Sequence, residues 1–86
     1  PTGAICKFEF MEKMVHLCKK NGIILVNDLA YSELVFDGNK AHSIFEIKGA
    51  KDIAVEFHTL SKTYSMAGWR IAFVIGNKDI VSALYE

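Results

Sequence analysis

The chain has no excess charge of either sign: ten Lys and Arg are matched by ten Asp and Glu over 86 residues. Neither sign is clustered, so the electrostatic footprint of a nucleic-acid binder, or of a protein held on an anionic membrane, is missing. A small-molecule partner is expected, with no nucleic acid and no membrane. Long apolar runs are missing as well. Hydrophobic residues make up 51% of the chain, yet no stretch approaches the roughly 18 apolar residues of a membrane span, and a soluble protein is expected. Cysteine is scarce, with only Cys6 and Cys18. At opposite ends of one predicted helix they stand about 18 Å apart at ~1.5 Å per residue, whereas a disulfide needs Cα atoms within about 7 Å. Two free thiols suit a cytoplasmic protein. Nucleotide-binding glycine patterns (GxxxxGK[ST] and GxGxxG) are absent, which removes nucleotide readings. His16, His42 and His58 have no cysteine or second histidine at ligand spacing, so no metal site is expected.

What is present reads as alternating helix and strand. Met11, Met14, Val15 and Cys18 recur at i, i+3, i+4 and i+7 between Phe8 and Lys20, with Glu12, Lys13, His16, Lys19 and Lys20 on the other side, which predicts an amphipathic helix. Asn21-Gly22 ends it, and the apolar run Ile23-Ile24-Leu25-Val26 predicts a strand buried on both faces. Further strands are expected at Ile53–Phe57 and at Ile71–Ile75, separated from the first by the turn at Asp37-Gly38-Asn39 and the loop around Gly49. Asn77 is placed to cap a last helix whose Ile80, Val81 and Leu84 share a face. This is an α/β pattern.

The length is below the usual domain size of about 100 to 150 residues. The chain begins Pro1-Thr2-Gly3 and ends inside a helical run, Ile80 to Tyr85, so both ends are expected to be cut. Three apolar strands need cover on both faces, and one full helix with the start of another leaves much of that surface bare. These residues alone are therefore expected to show marginal or no cooperative unfolding. A sharp, reversible transition in calorimetry counts against that expectation.

Chemistry concentrates in His58-Thr59-Leu60-Ser61-Lys62-Thr63-Tyr64-Ser65-Met66-Ala67-Gly68-Trp69-Arg70, between two strands. Ligands of open α/β sheets bind beyond the carboxyl ends of parallel strands. If the first two strands are parallel, Asp28 and Lys62 share one rim. Lysine forms Schiff bases with carbonyl compounds when its site favours the neutral amine. In an extended segment the hydroxyls of Thr59 and Ser61 point to one side, and Arg70 can offer its planar fork to a phosphate. Asp28 can pair with a protonated ring nitrogen, and Tyr31 meets the same ligand if the chain turns helically there. Taken singly, each residue has a plain structural alternative: a turn or cap for Asp28, a half-buried core tyrosine for Tyr31, an ion pair for Arg70 and a solvated surface residue for Lys62. Trp69, Met11 and Met14 read as core packing.

Ser61-Lys62, followed by Ser65-Met66-Ala67-Gly68-Trp69-Arg70-Ile71-Ala72, resembles the lysine signature of class I and II aminotransferases, which are pyridoxal-phosphate (PLP) enzymes of fold type I. The family's pattern has a small hydroxyl residue or glycine three before the lysine and an arginine eight after it. Thr59 stands where Ser or Gly is commoner but keeps the hydroxyl. Pro1-Thr2-Gly3 is similar to the tail of the family's Asn-Pro-Thr-Gly, and Asn27-Asp28-Leu29-Ala30-Tyr31 to its aspartate-tyrosine element. The stretches Val35-Phe36-Asp37-Gly38 and Glu56 to Lys62 are similar to the branch containing alanine and diaminopimelate aminotransferases.

The resemblance implies that residues 1–86 are part of the PLP-binding large domain. That domain has three layers, with a mostly parallel sheet and helices on both faces. It also implies that Lys62 forms the internal aldimine, Asp28 holds the pyridine nitrogen protonated, Tyr31 hydrogen-bonds the ring hydroxyl, and Thr59, Ser61 and Arg70 bind the phosphate. The implied activity is transamination between an amino acid and a 2-oxo acid, in a homodimer, and the free thiols place it in the cytoplasm as an expectation. The same machinery serves a carbon-sulfur lyase or a decarboxylase, and a PLP-sensing regulatory domain without turnover would also resemble it. The family's ring-stacking aromatic, its upstream phosphate-binding turn and its substrate-carboxylate arginine have no counterpart in these residues, which are not expected to catalyse alone.

Overall fold

The computed structural model describes residues 2–86. Helix α1 spans Phe8–Asn21 and buries Met11, Val15 and Cys18 of the predicted stripe, with Met14 half-buried. Gly22 closes it at φ 64°, and the amide of Ile23 donates back to the Cys18 carbonyl at 2.9 Å. That left-handed cap uses the amide of Ile23, so strand β1 starts later than the apolar run suggested, at Leu25–Asp28. Its first ladder bond runs from the Leu25 amide to the Ile53 carbonyl. Ile23, Ile24 and Val26 are exposed, not buried as the run implied.

Strand β2 spans Ala54–Thr59 and lies parallel to β1, with Asn27 opposite Glu56 and Asp28 opposite Phe57. Helix α2, Leu60–Thr63, follows at once, then a 3-10 turn at Ala67–Trp69 and strand β3, Ala72–Gly76. β3 returns antiparallel along β2, so the expected mostly parallel sheet is mixed in this stretch, in the order β1-β2-β3. The connection decides this. The residues between β1 and β2 are long enough for a crossover and include 3-10 turns at Ile44–Glu46 and Ala50–Asp52, whereas residues 60–71 stay at the carboxyl end of β2 and send the chain back.

The core lies between α1 and one face of β1 and β2. Met11 and Val15 pack with Ile44, Ile47, Ala50 and Ala54, and Phe8, Leu25, Phe45 and Ile53 close its edges. Phe73 and Ile75 on β3 remain exposed, as expected of strands with too little cover. Helix α3, Lys78–Ala83, is capped by Asn77, whose Oδ1 accepts from the amides of Asp79 and Ile80. Trp69 is 70% exposed, so its expected place in the core is wrong for these residues.

Two residues outside the site carry measurable consequences. Gly76 adopts φ 143°, and a Cβ there would lie 2.4 Å from the Ala54 carbonyl oxygen and 2.8 Å from Val55 Cα. Both are backbone atoms of a central strand and cannot swing aside. Gly76→Ala in the intact protein is expected to cost roughly 3 kcal/mol or more, read as a lowered denaturation midpoint.

Glu46 completes a capping box at the turn Ile44–Glu46: the Ser43 amide donates to Oε1 at 3.0 Å, and His42 Nδ1 lies 3.1 Å from Oε2. The hydrogen bond with His42, then that from the Ser43 amide, hold its carboxyl below the ordinary 4.5. A lowered carboxylate pKa adds stability that is complete above the ordinary value and disappears as pH falls through the lowered one. Glu46→Gln is therefore expected to lower the denaturation midpoint at pH 7, with the gap to wild type closing on acidification.

Candidate functional site

Because β1 and β2 are parallel, their carboxyl ends form one rim, as the sequence required for Asp28 and Lys62 to meet. Asp28 is the last residue of β1, within the strand and not just past it. The Leu29 amide still donates to the Phe57 carbonyl at 2.9 Å, which pins the start of the following segment to β2. Asp28 is exposed, and its Oδ1 accepts from the Ala30 amide at 3.3 Å. That bond is the turn role its plain alternative proposed. Among the described residues the other oxygen accepts nothing and is free for a ligand.

The chain turns tightly after β1, with the Leu34 amide donating to the Tyr31 carbonyl at 2.9 Å. Tyr31 is 60% exposed, which sets aside the core-tyrosine reading. Its ring faces Lys62, whose Nζ stands 5.7 Å from the ring centroid. Lys62 sits on α2 and forms no ion pair among the described residues. The segments after β1 and after β2 therefore converge through Tyr31 and Lys62.

Thr59 and Ser61 do come together, but not in the extended segment foreseen. Thr59 ends β2 and caps α2, accepting from the Ser61 amide at 3.1 Å, so the two hydroxyls meet across a strand-to-helix turn at 2.9 Å. Thr59 Oγ1 also lies 3.2 Å from the Ile71 carbonyl, which can only accept. The single Thr59 proton goes there, and Ser61 supplies the proton of the shared bond.

Arg70 is exposed at φ 54° and donates from a guanidinium nitrogen to the Ala67 carbonyl at 3.1 Å, within its own turn. No ion pair holds it among the described residues, and no hydrogen bond joins it to Thr59 or Ser61.

A cavity of about 690 Å³ opens beside the end of β1, lined among others by Gly3, Cys6, Asp28, Tyr31, Ser32 and His42. Thr2 reaches it too, so part of the proline-threonine-glycine element lies beside Asp28 and Tyr31, while Pro1 is outside the described residues. Lys62, Thr59, Ser61 and Arg70 stand outside the cavity lining. Cys6 precedes α1 and does not form its end, but both cysteines are free, as expected.

One buried polar residue went unnoticed in the sequence. Glu56 lies in the middle of β2 with 1% exposure. A lone charge inside the run Ala54-Val55-Glu56-Phe57 was the available signal, because such a residue must either face water or find several donors. It finds them in Asn27, Ser43, Ile44 and His58.

Comparison with known proteins agrees with this geometry. The model of the family described as aminotransferase class I and II matches residues 1–86. The chain is 56% identical over 84 residues to the glutamate-pyruvate aminotransferase AlaC of Escherichia coli, covering 98% of this chain and 20% of that protein. It is 52% identical over 86 residues to an LL-diaminopimelate aminotransferase of Nostoc, covering 100% of this chain and 22% of the relative. The apo structure of BacF from Bacillus subtilis superposes with a TM-score of 0.91 at 38% identity, over 99% of this chain and 21% of that one. The chain thus spans about a fifth of the length of the relatives it matches. With 99% of the chain superposing on such a structure and its full length matched by the family model, this chain belongs to the class I and II aminotransferases.

Proposed function

We propose that the intact protein uses PLP to transfer an amino group between an amino acid and a 2-oxo acid. The observation that carries this reading is the approach of Lys62 Nζ to the Tyr31 ring, 5.7 Å from its centroid, at the rim where Asp28 presents its carboxylate. An amine, a phenol, a carboxylate and a pair of hydroxyls suit the aldehyde, ring hydroxyl, ring nitrogen and phosphate of PLP in turn. Among the described residues, the amine, the phenol hydroxyl and one carboxylate oxygen have no hydrogen-bond partner to displace. The donor set fits the group.

When bound, PLP supplies an aldehyde that condenses with amines and a protonated ring that draws electrons from the substrate's α-carbon. Asp28 would hold the proton on the ring nitrogen, and Tyr31 would donate to the ring hydroxyl. Thr59 and Ser61 would hold the phosphate by redirecting the protons they now give to the Ile71 carbonyl and to their shared bond, and Arg70 would add its guanidinium N–H groups not engaged by the Ala67 carbonyl. Lys62 would anchor the group through Nζ. The same nitrogen, on a short helix beside the rim, would also serve as the base that takes the substrate's α-proton and returns it. The names of the relatives make glutamate with pyruvate, and LL-diaminopimelate, the first substrates to try. A cytoplasmic homodimer completes this reading, supported in its compartment by the free thiols of Cys6 and Cys18.

The decisive experiment is borohydride reduction of the intact protein with PLP, followed by peptide mapping. A pyridoxyl group on Lys62 is expected, and its absence from a folded protein overturns the reading. Formation of a 2-oxo acid that depends on an added acceptor oxo acid then separates transamination from lyase or decarboxylase chemistry.

A further inference from the structure

The alternation of the paired strands sets Asp28, Phe57 and Thr59 on one face of the sheet and Asn27, Glu56 and His58 on the other. The second group has no task in the proposed chemistry, yet it holds a buried carboxylate. Removing a carboxylate from water costs several kcal/mol, and an apolar side chain of similar volume usually stabilises such a position at least as well. Here both oxygens are fully occupied. Glu56 Oε2 accepts from Asn27 Nδ2 at 2.8 Å and from the Ile44 amide at 2.7 Å. Oε1 accepts from His58 Nε2 at 2.8 Å, and Ser43 Oγ lies 3.0 and 3.1 Å from the two oxygens.

Three of the four donors adjoin a part of the candidate site, and Asn27 itself also lines the cavity. Asn27 precedes Asp28, His58 precedes Thr59, and Ser43 follows His42, which lines the cavity beside Asp28 and Tyr31. His58 is further held by stacking on Phe73 of β3, with ring centroids 4.9 Å apart. A single carboxylate therefore ties the end of β1, the end of β2 and one wall of the cavity together from beneath. An apolar residue would fill the same space but leave only the backbone ladder and the Leu29 to Phe57 bond to join the ends of β1 and β2, with no side-chain tie to the segment at Ser43.

We propose that Glu56 is a positioning residue: through Asn27 and His58 it fixes Asp28 and Thr59 relative to each other, so that the ring and the phosphate of one cofactor are held at once. This rests on the PLP reading above. Its reach is short, one residue beyond the buried bonds on either strand.

The test uses the full-length protein and two variants. Asn27→Ala cuts the tie to β1 and leaves Glu56 with Ser43, Ile44 and His58. Glu56→Gln keeps the shape, and its new amide donor can be met by a rotated Asn27 amide or by the Ser43 hydroxyl. PLP affinity, the circular dichroism of the bound cofactor in its visible band, and melting of the cofactor-free protein are measured together. Asn27→Ala is expected to bind PLP about tenfold or more weakly, with altered visible dichroism and melting within a few degrees of wild type. Glu56→Gln, which can keep a bond to a rotated Asn27 amide, is expected to lose clearly less PLP affinity than Asn27→Ala, and an equal or larger loss in a folded Glu56→Gln counts against the tie through Asn27. Wild-type affinity and dichroism in Asn27→Ala overturn the positioning role, whatever happens to melting. A wild-type protein that takes up no PLP overturns the cofactor reading itself, and this role falls with it.

Discussion

Lys62→Ala in the intact protein is expected to abolish turnover, with a loss of about four orders of magnitude or more, while leaving the fold unchanged. Lys62 is assigned two tasks, anchoring the cofactor and moving the α-proton, and positioned proton transfer alone contributes roughly 10²- to 10⁴-fold. Its structural contribution is small. The side chain is exposed on α2 and makes no ion pair among the described residues, and alanine is at least as good a helix residue. Steady-state oxo-acid formation and thermal melting are the two measurements. Loss of rate at unchanged melting temperature localises the defect to chemistry. Lys62→Arg should fail equally, because a guanidinium stays charged and cannot act as the base. Residual activity within tenfold of wild type in either variant would remove Lys62 from the mechanism.

Most elements of this stretch were legible because local chemistry and tertiary demand coincide. The i, i+3, i+4, i+7 stripe of α1 is the face that packs on the sheet, and Gly22 and Asn77 cap where their conformational and side-chain preferences place them. The start of β1 was not legible. An apolar run shows where a strand can lie, but the amide of Ile23 is used by the Gly22 helix cap, a consequence of that glycine that the apolar run itself does not display. The direction of β3 was equally hidden, since it depends on how the chain between Leu60 and Ile71 folds back, not on the strand's own residues.

The site divides along the same line. Asp28, Tyr31, Thr59, Ser61 and Lys62 could be picked out because their motifs are local and because parallel pairing puts the ends of β1 and β2 together. Thr59 and Ser61 illustrate a correct meeting for a wrong reason: their hydroxyls join through a helix cap where an extended segment was supposed. Glu56 was overlooked because its meaning lies in register. Only the pairing of Asn27 with Glu56 and the return of the loop at Ser43 convert a charge in an apolar run into a junction.

Asp28→Ala is expected to lower turnover by about a hundred- to a thousandfold while weakening PLP retention far less. The asymmetry follows from what each residue holds. Retention is shared among Lys62, Thr59, Ser61 and Arg70, all left in place, whereas Asp28 alone is assigned to the ring nitrogen. A preorganised charge facing charge that develops during reaction is worth roughly 10²- to 10³-fold in rate, more than it contributes to ground-state binding. The structural cost is small, because the side chain is exposed and its one bond, from the Ala30 amide, is long at 3.3 Å. Asp28→Asn provides the control: its amide oxygen can keep that bond and the side-chain volume while the charge is lost. If charge is the operative property, the asparagine variant falls nearly as far as alanine, and both take up PLP in a spectrophotometric titration. Wild-type turnover in Asp28→Ala would contradict the assignment. Wild-type turnover in Asp28→Asn with loss in Asp28→Ala would reduce Asp28 to the turn residue that its bond to Ala30 already makes it.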